Sequence, residues 1–272
     1  MKQCIMVTLA GLLFLPGLCA KGQMATTRLR PSPATAPAEK VDPAVMEVLQ
    51  RLEKARDKFP VVTADLDYHE LLRELGDSEQ RTGKVYYQSA AGDSPAKWRI
   101  HFRTLRQGDG PKSTNVEDYV FDGQWLTIRK ERPRQMWRIQ VVPPGEKIEA
   151  LELGKGPFPV PFGQKAETVL RHFRVSTRPA GKTDPEDCDY LKLVTRPERQ
   201  RELNVVWVEM WVQRKTGLPV KIVAEDASGN RKTVEFKNIA TPKSLPRDTF
   251  DLPRPPAGWE YRVEPYKPAG SE

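Results

Sequence analysis

A change of hydrophobic period after Pro60 limits the folds open to this chain more than any other pattern in it. Before Pro60 the apolar residues recur at helical spacing, and after it they alternate with polar ones, most clearly over residues 97–105. There Trp98, Ile100 and Phe102 point to one side of an extended strand, and charged residues point to the other. Such alternation is typical of antiparallel sheets with one dry and one wet face. The chain is therefore predicted to be mainly β.

One helix is predicted before the strands begin. Pro43 is favoured at the first position of a helix, and Asp42 before it is a good N-cap residue. Pro60 ends the helix. The helix carries one apolar stripe, made of Val45, Val48, Leu49, Leu52 and Ala55. A second, short helix is predicted over residues 164–173.

The strands follow at short, regular spacing. Asp122-Gly123 is a strong hairpin signal, and further turns are predicted at Thr216-Gly217 and at residues 228–230. Residues 258–263 are expected to dock at the sheet edge. The spacing predicts a curved antiparallel sheet or barrel rather than a βαβ fold. The predicted strands are 66–72, 81–88, 97–105, 119–121, 124–130, 136–142, 190–195, 204–213, 219–226 and 231–239.

The N-terminus predicts export. Lys2 precedes an apolar run over residues 5–18, which is shorter than the roughly 20 residues of a membrane-spanning helix. A run of this length, followed by small residues, is typical of a signal peptide. We therefore predict a signal peptide over residues 1–22 and a mature protein in the periplasm or elsewhere in the cell envelope. Lipid anchoring at Cys19 is the alternative, although Leu18 is not the small residue that such processing prefers.

Three segments follow the signal peptide. Residues 23–42 are rich in Pro and Ala and predict a disordered linker, because such a segment buries little apolar surface. Residues 43–266 form the predicted β-domain, and residues 267–272 a short tail. A stretch dense in Pro and Gly interrupts the β-domain at residues 143–163, and such long loops tend to be lids or binding loops.

Composition excludes several functional classes. Hydrophobic residues make up 38% of the 272 residues and charged residues 29%, as in an ordinary globular protein. The net charge of +8 is spread along the chain without a run of five basic residues, so no nucleic-acid partner is expected. The mature chain would keep only Cys188, which leaves no disulfide framework, and we expect a monomer.

The residues that usually carry catalysis do not form recognisable motifs. His69, His101 and His172 show no metal-ligand spacing, and no nucleophile elbow, phosphate-binding loop or dinucleotide fingerprint is present. His101 lies on the polar side of its predicted strand, as surface histidines commonly do. Glu186, Asp187 and Asp189 lack the spacing of an EF-hand calcium loop. No catalytic residue, metal or cofactor is predicted, and the chain is not expected to be an enzyme.

The aromatic residues provide the positive signal. Five of the six tryptophans lie on predicted strands, namely Trp98, Trp125, Trp137, Trp207 and Trp211. They are either core residues or the lining of a ligand cavity, because a curved sheet with only two helices to cover it leaves a cavity or fills it. Both faces of residues 205–212 are apolar, so parity does not assign Trp207 or Trp211.

The order of several motifs resembles the LolA/LolB family of outer-membrane lipoprotein carriers. The similarity covers about residues 45–263. Ser94 stands where the family often has an arginine before the strand proline. The motifs are Pro95-Ala96-Lys97-Trp98-Arg99-Ile100, Tyr119-Val120-Phe121-Asp122-Gly123-Gln124-Trp125-Leu126, a helix over 162–173, Tyr190-Leu191-Lys192-Leu193, Gly217-Leu218-Pro219, residues 226–230, Val234-Glu235-Phe236 and a tail from Phe250 to Gly258.

This resemblance implies a half-open antiparallel β-barrel that is closed by the N-terminal helix and by the mid-chain helix and loop. It also implies that the cavity takes acyl chains of lipoproteins or lipids. The expected lid residues are Phe158 and Phe162. The expected cavity lining is Trp98, Ile100, Phe102, Leu126, Trp137 and Ile139. The alternative is a non-enzymatic sensory or scaffolding module on the same fold, with an envelope protein as its partner.

Overall fold

The computed structural model describes residues 40–146 and 162–267. The predicted signal peptide, nearly all of the predicted linker and Phe158 lie outside these ranges. Within them, no helix is long and apolar enough to cross a membrane.

Helix α1 (Pro43–Lys58) confirms the prediction made from its apolar stripe. The side chain of Asp42 accepts a hydrogen bond from the Ala44 amide at 2.9 Å, which caps the first turn. The residues that α1 buries are the five of the predicted stripe, Val45, Val48, Leu49, Leu52 and Ala55. A second helix, α2 (Ala166–His172), falls inside the mid-chain segment predicted to be helical.

The described residues form twelve strands. They are β1 (Val61–Leu72), β2 (Asp77–Gln88), β3 (Lys97–Gln107), β4 (Ser113–Phe121), β5 (Trp125–Lys130), β6 (Gln135–Gln140), β7 (Phe173–Arg178), β8 (Cys188–Thr195), β9 (Trp207–Gln213), β10 (Pro219–Glu225), β11 (Arg231–Ala240) and β12 (Glu260–Glu264).

All twelve strands belong to one open sheet. Their order is β12-β6-β5-β4-β3-β2-β1-β11-β10-β9-β8-β7. The sheet therefore consists of two antiparallel meanders, β1–β6 and β7–β11, that are joined where β1 pairs with β11. Strands β12 and β7 stand at opposite ends of the order, so the sheet is not closed. This confirms the predicted mainly β, half-open antiparallel architecture with two helices.

The core lies on one face of this sheet, which we call the inner face. Its buried cluster combines the stripe of α1 with inward residues from β1 to β4 and β8 to β11. In β9, Val208, Met210 and Val212 point inward and are almost completely buried. Alternation along the strand therefore places Trp207 and Trp211 on the opposite, outer face.

Two strands differ from the sequence prediction in more than their bounds. Strand β7 was not predicted, because Phe173 and Val175 are its only large apolar residues and the segment follows a helix directly. Strand β12 docks at the sheet edge as predicted, but it runs parallel to β6. A parallel partner needs a long connection rather than a hairpin, and here β7 to β11 lie between β6 and β12 in the chain.

Two hairpin turns depend on glycine. Gly217 has φ +73°, and a Cβ there would lie 2.5 Å from the carbonyl oxygen of Arg51. Gly123 has φ +106°, and a Cβ there would clash with the ring of Pro95. The β9–β10 turn is thus held tightly against α1, and the β4–β5 turn against the loop before β3.

Candidate ligand-binding face

Strand register places the six predicted lining residues on the inner face. Trp98 lies directly opposite Phe121, and Phe121 lies opposite Leu126. Leu126 in turn lies opposite Ile139. Directly opposite residues of an antiparallel pair share a face, and alternation adds Ile100, Phe102 and Trp137 to this row.

Burial divides these six residues into two groups. Trp98, Ile100, Phe102 and Leu126 are buried members of the core cluster. Trp137 and Ile139 on β6 are only half-buried, and neither belongs to the core cluster or to the residues packed against it. The inner face therefore changes from a packed core at β3 to a partly exposed apolar strip at β6.

Phe162 is a buried core residue. Its ring lies 5.6 Å from that of Tyr87 and 5.2 Å from that of Phe236, centroid to centroid. It therefore covers the inner face between β2 and β11. Its predicted partner in the lid, Phe158, lies outside the described residues.

Tyr87 is an inner-face residue that the sequence prediction missed. It lies directly opposite Trp98, and burial raises the pKa of its phenol to about 12. The alternation of Val85 and Tyr87 along β2 could have identified it from the sequence. Neither the Tyr87 hydroxyl nor the Trp98 indole N–H has a hydrogen-bond partner among the described residues.

A buried polar cluster ends the inner face beyond Phe102. Arg81 contacts Glu117 at 2.6 Å and Glu79 at 2.8 Å, and Tyr119 donates to Glu117 at 3.0 Å. Burial lowers the pKa of Arg81, but the hydrogen bond to Glu79 and the charge of Glu117 outweigh it, so the net shift is upward. Burial raises the pKa of Tyr119, and Glu117 raises it further. Arg81 therefore stays positively charged and Tyr119 stays neutral near neutral pH.

Among the histidine contacts that the structure describes, one resembles an acid–base pair. It lies on the outer face. Nδ1 of His101 lies 2.9 Å from Oδ1 of buried Asp118. Arg99 donates to the same oxygen at 2.8 Å and to the carbonyl of Thr249 at 3.0 Å. These bonds fasten the segment before β12 to the sheet. These hydrogen bonds give Asp118 and Arg99 a structural role.

The pKa of Asp118 makes this contact sensitive to acid. Burial raises the pKa of Asp118, but the hydrogen bond to His101 and the nearby Arg99 charge lower it more, so the folded-state value is below normal. The stabilisation is present above the unfolded pKa of about 3.9 and is lost as the pH falls through the lower folded value. We expect Asp118→Asn to lower the free energy of unfolding by about 1.5–3 kcal/mol at pH 7. The loss should be smaller at pH 3, which is below the unfolded value, as measured by urea denaturation.

Asp65→Asn is the matched control for this measurement. Asp65 also has a lowered pKa, caused first by its hydrogen bond from Asn238, but its side chain is exposed to solvent, which screens its charge. Its unfolding midpoint should change little at either pH. An Asp118→Asn effect of equal size at pH 7 and pH 3 contradicts the electrostatic account.

Of the three acidic residues Glu186, Asp187 and Asp189, the last is engaged in ion pairs. Asp189 accepts hydrogen bonds from Arg51 at 2.7 Å and from Arg214 at 2.8 Å. Over residues 40–146 and 162–267, no group of three or more His, Cys, Asp or Glu could hold a metal ion. Burial raises the pKa of the Cys188 thiol, which disfavours the reactive thiolate.

The strand tryptophans are divided between the two faces of the sheet. Only Trp98 and Trp137 of the five strand tryptophans point inward. Trp125 lies outward on β5 with the Arg138 guanidinium 4.8 Å from its ring. On the outer face, Trp211 packs in a small cluster with Tyr190 and Cys188. Alternation along β5 and β9, which places Leu126 and Met210 inward, is the physical reason.

The half-open sheet with its two helices can be compared with known proteins. No protein-family model matches the chain, and no curated protein matches it. Solved structures that it resembles include a putative outer membrane lipoprotein-sorting protein domain from Vibrio parahaemolyticus, at 12% identity and TM-score 0.40. That likeness covers 76% of this chain and 95% of the other.

Two further solved structures are similar. The LolA superfamily protein NE2245 from Nitrosomonas europaea has 13% identity and TM-score 0.34, over 76% of this chain and 97% of that one. The MucA/MucB complex of Pseudomonas aeruginosa has 14% identity and TM-score 0.40, over 77% of this chain and 61% of that one. The neighbours thus include the predicted family. Because every one of these TM-scores is below 0.5, the architecture rests on the strand order and register of the chain itself.

Proposed function

We propose that this chain is an exported envelope protein that binds the acyl chains of a lipid or lipoprotein on its inner face and carries them. The observation that supports this most directly is the strip at β6. Trp137 and Ile139 share the face of the core but remain half-exposed. An apolar ligand laid along the strip would bury them.

The energetics favour a ligand with long hydrocarbon chains. Removing apolar surface from water stabilises a complex by about 0.8 kcal/mol for each methylene buried. Leu126 and Ile128 continue the strip on β5, and Ile128 is partly buried against the core. The strip therefore adjoins a surface that already excludes water.

The proposal includes the segments outside the described residues. We assign residues 1–22 to a signal peptide, residues 23–42 to a linker that spaces the domain from its point of attachment or release, and residues 267–272 to a tail. The domain acts as a non-enzymatic monomer in the periplasm or elsewhere in the envelope. Its ligand is held by apolar contact rather than by a metal or cofactor.

Trp137→Ala tests this function. We expect the substitution to weaken binding of the fluorescent apolar probe N-phenyl-1-naphthylamine about tenfold or more, because a tryptophan at the centre of an apolar site commonly contributes over 1.4 kcal/mol. The measurement is a fluorescence titration of the purified protein.

Trp125→Ala is the control for this titration. Trp125 is also half-buried and stacked on a cation, but it lies on the outer face of the adjacent strand. Its removal should leave the affinity within about twofold. Equal losses in the two variants, or no probe binding by the unmodified protein, contradict the proposed function.

A second candidate function is partner-protein binding on the outer face. Val194 on β8 is 41% exposed and lies directly opposite half-buried Trp207 on β9. Lys192 and Arg231 approach the Trp207 ring to 5.4 Å each. Tryptophan and arginine are enriched in protein interfaces. A scaffold of this kind, purified from envelope extract, would retain a protein through Trp207 and little lipid.

A further inference from the structure

Two hydrogen-bond donors lie unpartnered in the middle of the inner face. Tyr87 on β2 and Trp98 on β3 are directly opposite one another, and each is only 2% exposed. The Tyr87 hydroxyl and the Trp98 indole N–H have no partner among the described residues. A buried donor without an acceptor is destabilising, and such groups are rare in folded proteins.

The other inner-face phenols behave differently. The hydroxyl of Tyr68 donates to Glu70 at 2.7 Å, and that of Tyr119 donates to Glu117 at 3.0 Å. The fold therefore satisfies polar groups on this face where the residues at hand allow it. Phenylalanine at position 87 would fill nearly the same space without the cost of an unpaired hydroxyl.

We propose that Tyr87 and Trp98 form a polar anchor that donates hydrogen bonds to the uncharged carbonyl oxygen of an otherwise apolar ligand, as in an acyl ester or amide. This inference rests on the proposed function and specifies the ligand class. An indole nitrogen only donates, so the group that it binds must be an acceptor. A carbonyl presents two lone pairs without the desolvation cost of a buried carboxylate.

The surroundings of the anchor are apolar, as the rest of such a ligand requires. The Trp98 ring stacks 6.2 Å from that of Phe121, and the Phe162 ring lies 5.6 Å from that of Tyr87. Phe162 covers Tyr87, so it must move for a ligand to reach the anchor. Three strand spacings of about 4.8 Å separate β3 from β6. An acyl chain that runs from the anchor to β6 would therefore span about 14 Å.

The test compares ligands that differ in the carbonyl. The purified protein is titrated with methyl dodecanoate, with tetradecane and with dodecanoate, each displacing N-phenyl-1-naphthylamine. We expect the ester to bind about tenfold more tightly than the hydrocarbon, since two hydrogen bonds together contribute roughly this factor. Dodecanoate should bind no more tightly than the ester.

Tyr87→Phe and Trp98→Phe test the two donors. Each should reduce the preference for ester over hydrocarbon about threefold, with hydrocarbon affinity unchanged in Tyr87→Phe. In the ligand-free protein, Tyr87→Phe should not lower the melting temperature. Tyr190→Phe is the control, because its hydroxyl donates to Glu209 at 2.7 Å on the outer face. As a direct readout, the ¹⁵N-labelled indole N–H resonance of Trp98 should move downfield with the ester and not with the hydrocarbon.

The outcomes separate the anchor from the proposed function. Equal binding of ester and hydrocarbon, with no effect of Tyr87→Phe on either, would overturn the anchor proposal. This is the result expected if a buried water occupies the two donors. The proposal that the protein binds apolar ligands would still stand. Tighter binding of dodecanoate than of the ester overturns the assignment to an uncharged carbonyl. If none of the three ligands binds, both proposals fail.

Discussion

Replacing Arg81 with methionine is expected to lower the free energy of unfolding by about 3–5 kcal/mol, because it leaves a buried carboxylate without its cation. Glu117 is 4% exposed and lies 2.6 Å from the Arg81 guanidinium. Glu79, 2.8 Å from the same guanidinium, loses its partner as well. Methionine retains much of the arginine stem, so lost packing contributes little. Urea denaturation at pH 7 measures the change.

Two further variants separate charge from packing. Arg262→Met removes an exposed arginine that pairs with Glu260, and an exposed ion pair contributes about 1 kcal/mol or less. Adding Glu117→Gln to Arg81→Met should recover part of the loss, because the unpaired charge is removed. If the double variant is no more stable than Arg81→Met, the loss arises from packing.

Replacing Phe102 with alanine should lower the free energy of unfolding by about 3–5 kcal/mol. Phe102 is fully buried, with the rings of Tyr68 and Tyr119 at 5.6 and 6.2 Å and the Arg81 guanidinium 5.7 Å from its own ring. Phe102 lies between the aromatic core and the charged cluster. Its neighbours therefore cannot easily move to fill the cavity that alanine would leave. Thermal and urea unfolding report the loss.

This prediction also divides the six lining residues into core and ligand site. Leu75→Ala, at a highly exposed loop position, should change stability little. If Phe102→Ala is as stable as the unmodified protein but loses probe binding, Phe102 lines a ligand cavity. If stability falls as expected while Trp137→Ala affects only binding, Phe102 belongs to the core and Trp137 to the ligand site.

Local patterns predicted much of the fold and which residues share the inner face. The stripe of α1 and the alternation of β3 were sufficient because burial follows the period of each element. Strand β7 was missed because its six residues carry few apolar side chains. Trp207 and Trp211 were unassigned because both faces of β9 are apolar, and only the contacts of Met210 and Val208 with the core decide between them.

The sequence by itself determined the class of the fold, the two helices, the hairpins and the face shared by Trp98, Ile100 and Phe102. These features depend on interactions within a few residues along the chain. The tertiary structure alone decided that β1 pairs with β11 and that β12 runs parallel to β6. It also brought together the Tyr87 and Trp98 donors, neither of which has a partner among the described residues. It also left Trp137 half-exposed where Phe102 is buried. The pairing of distant strands and the burial of each side chain depend on packing between segments far apart in the sequence. The hydrophobic period of one strand does not encode that packing.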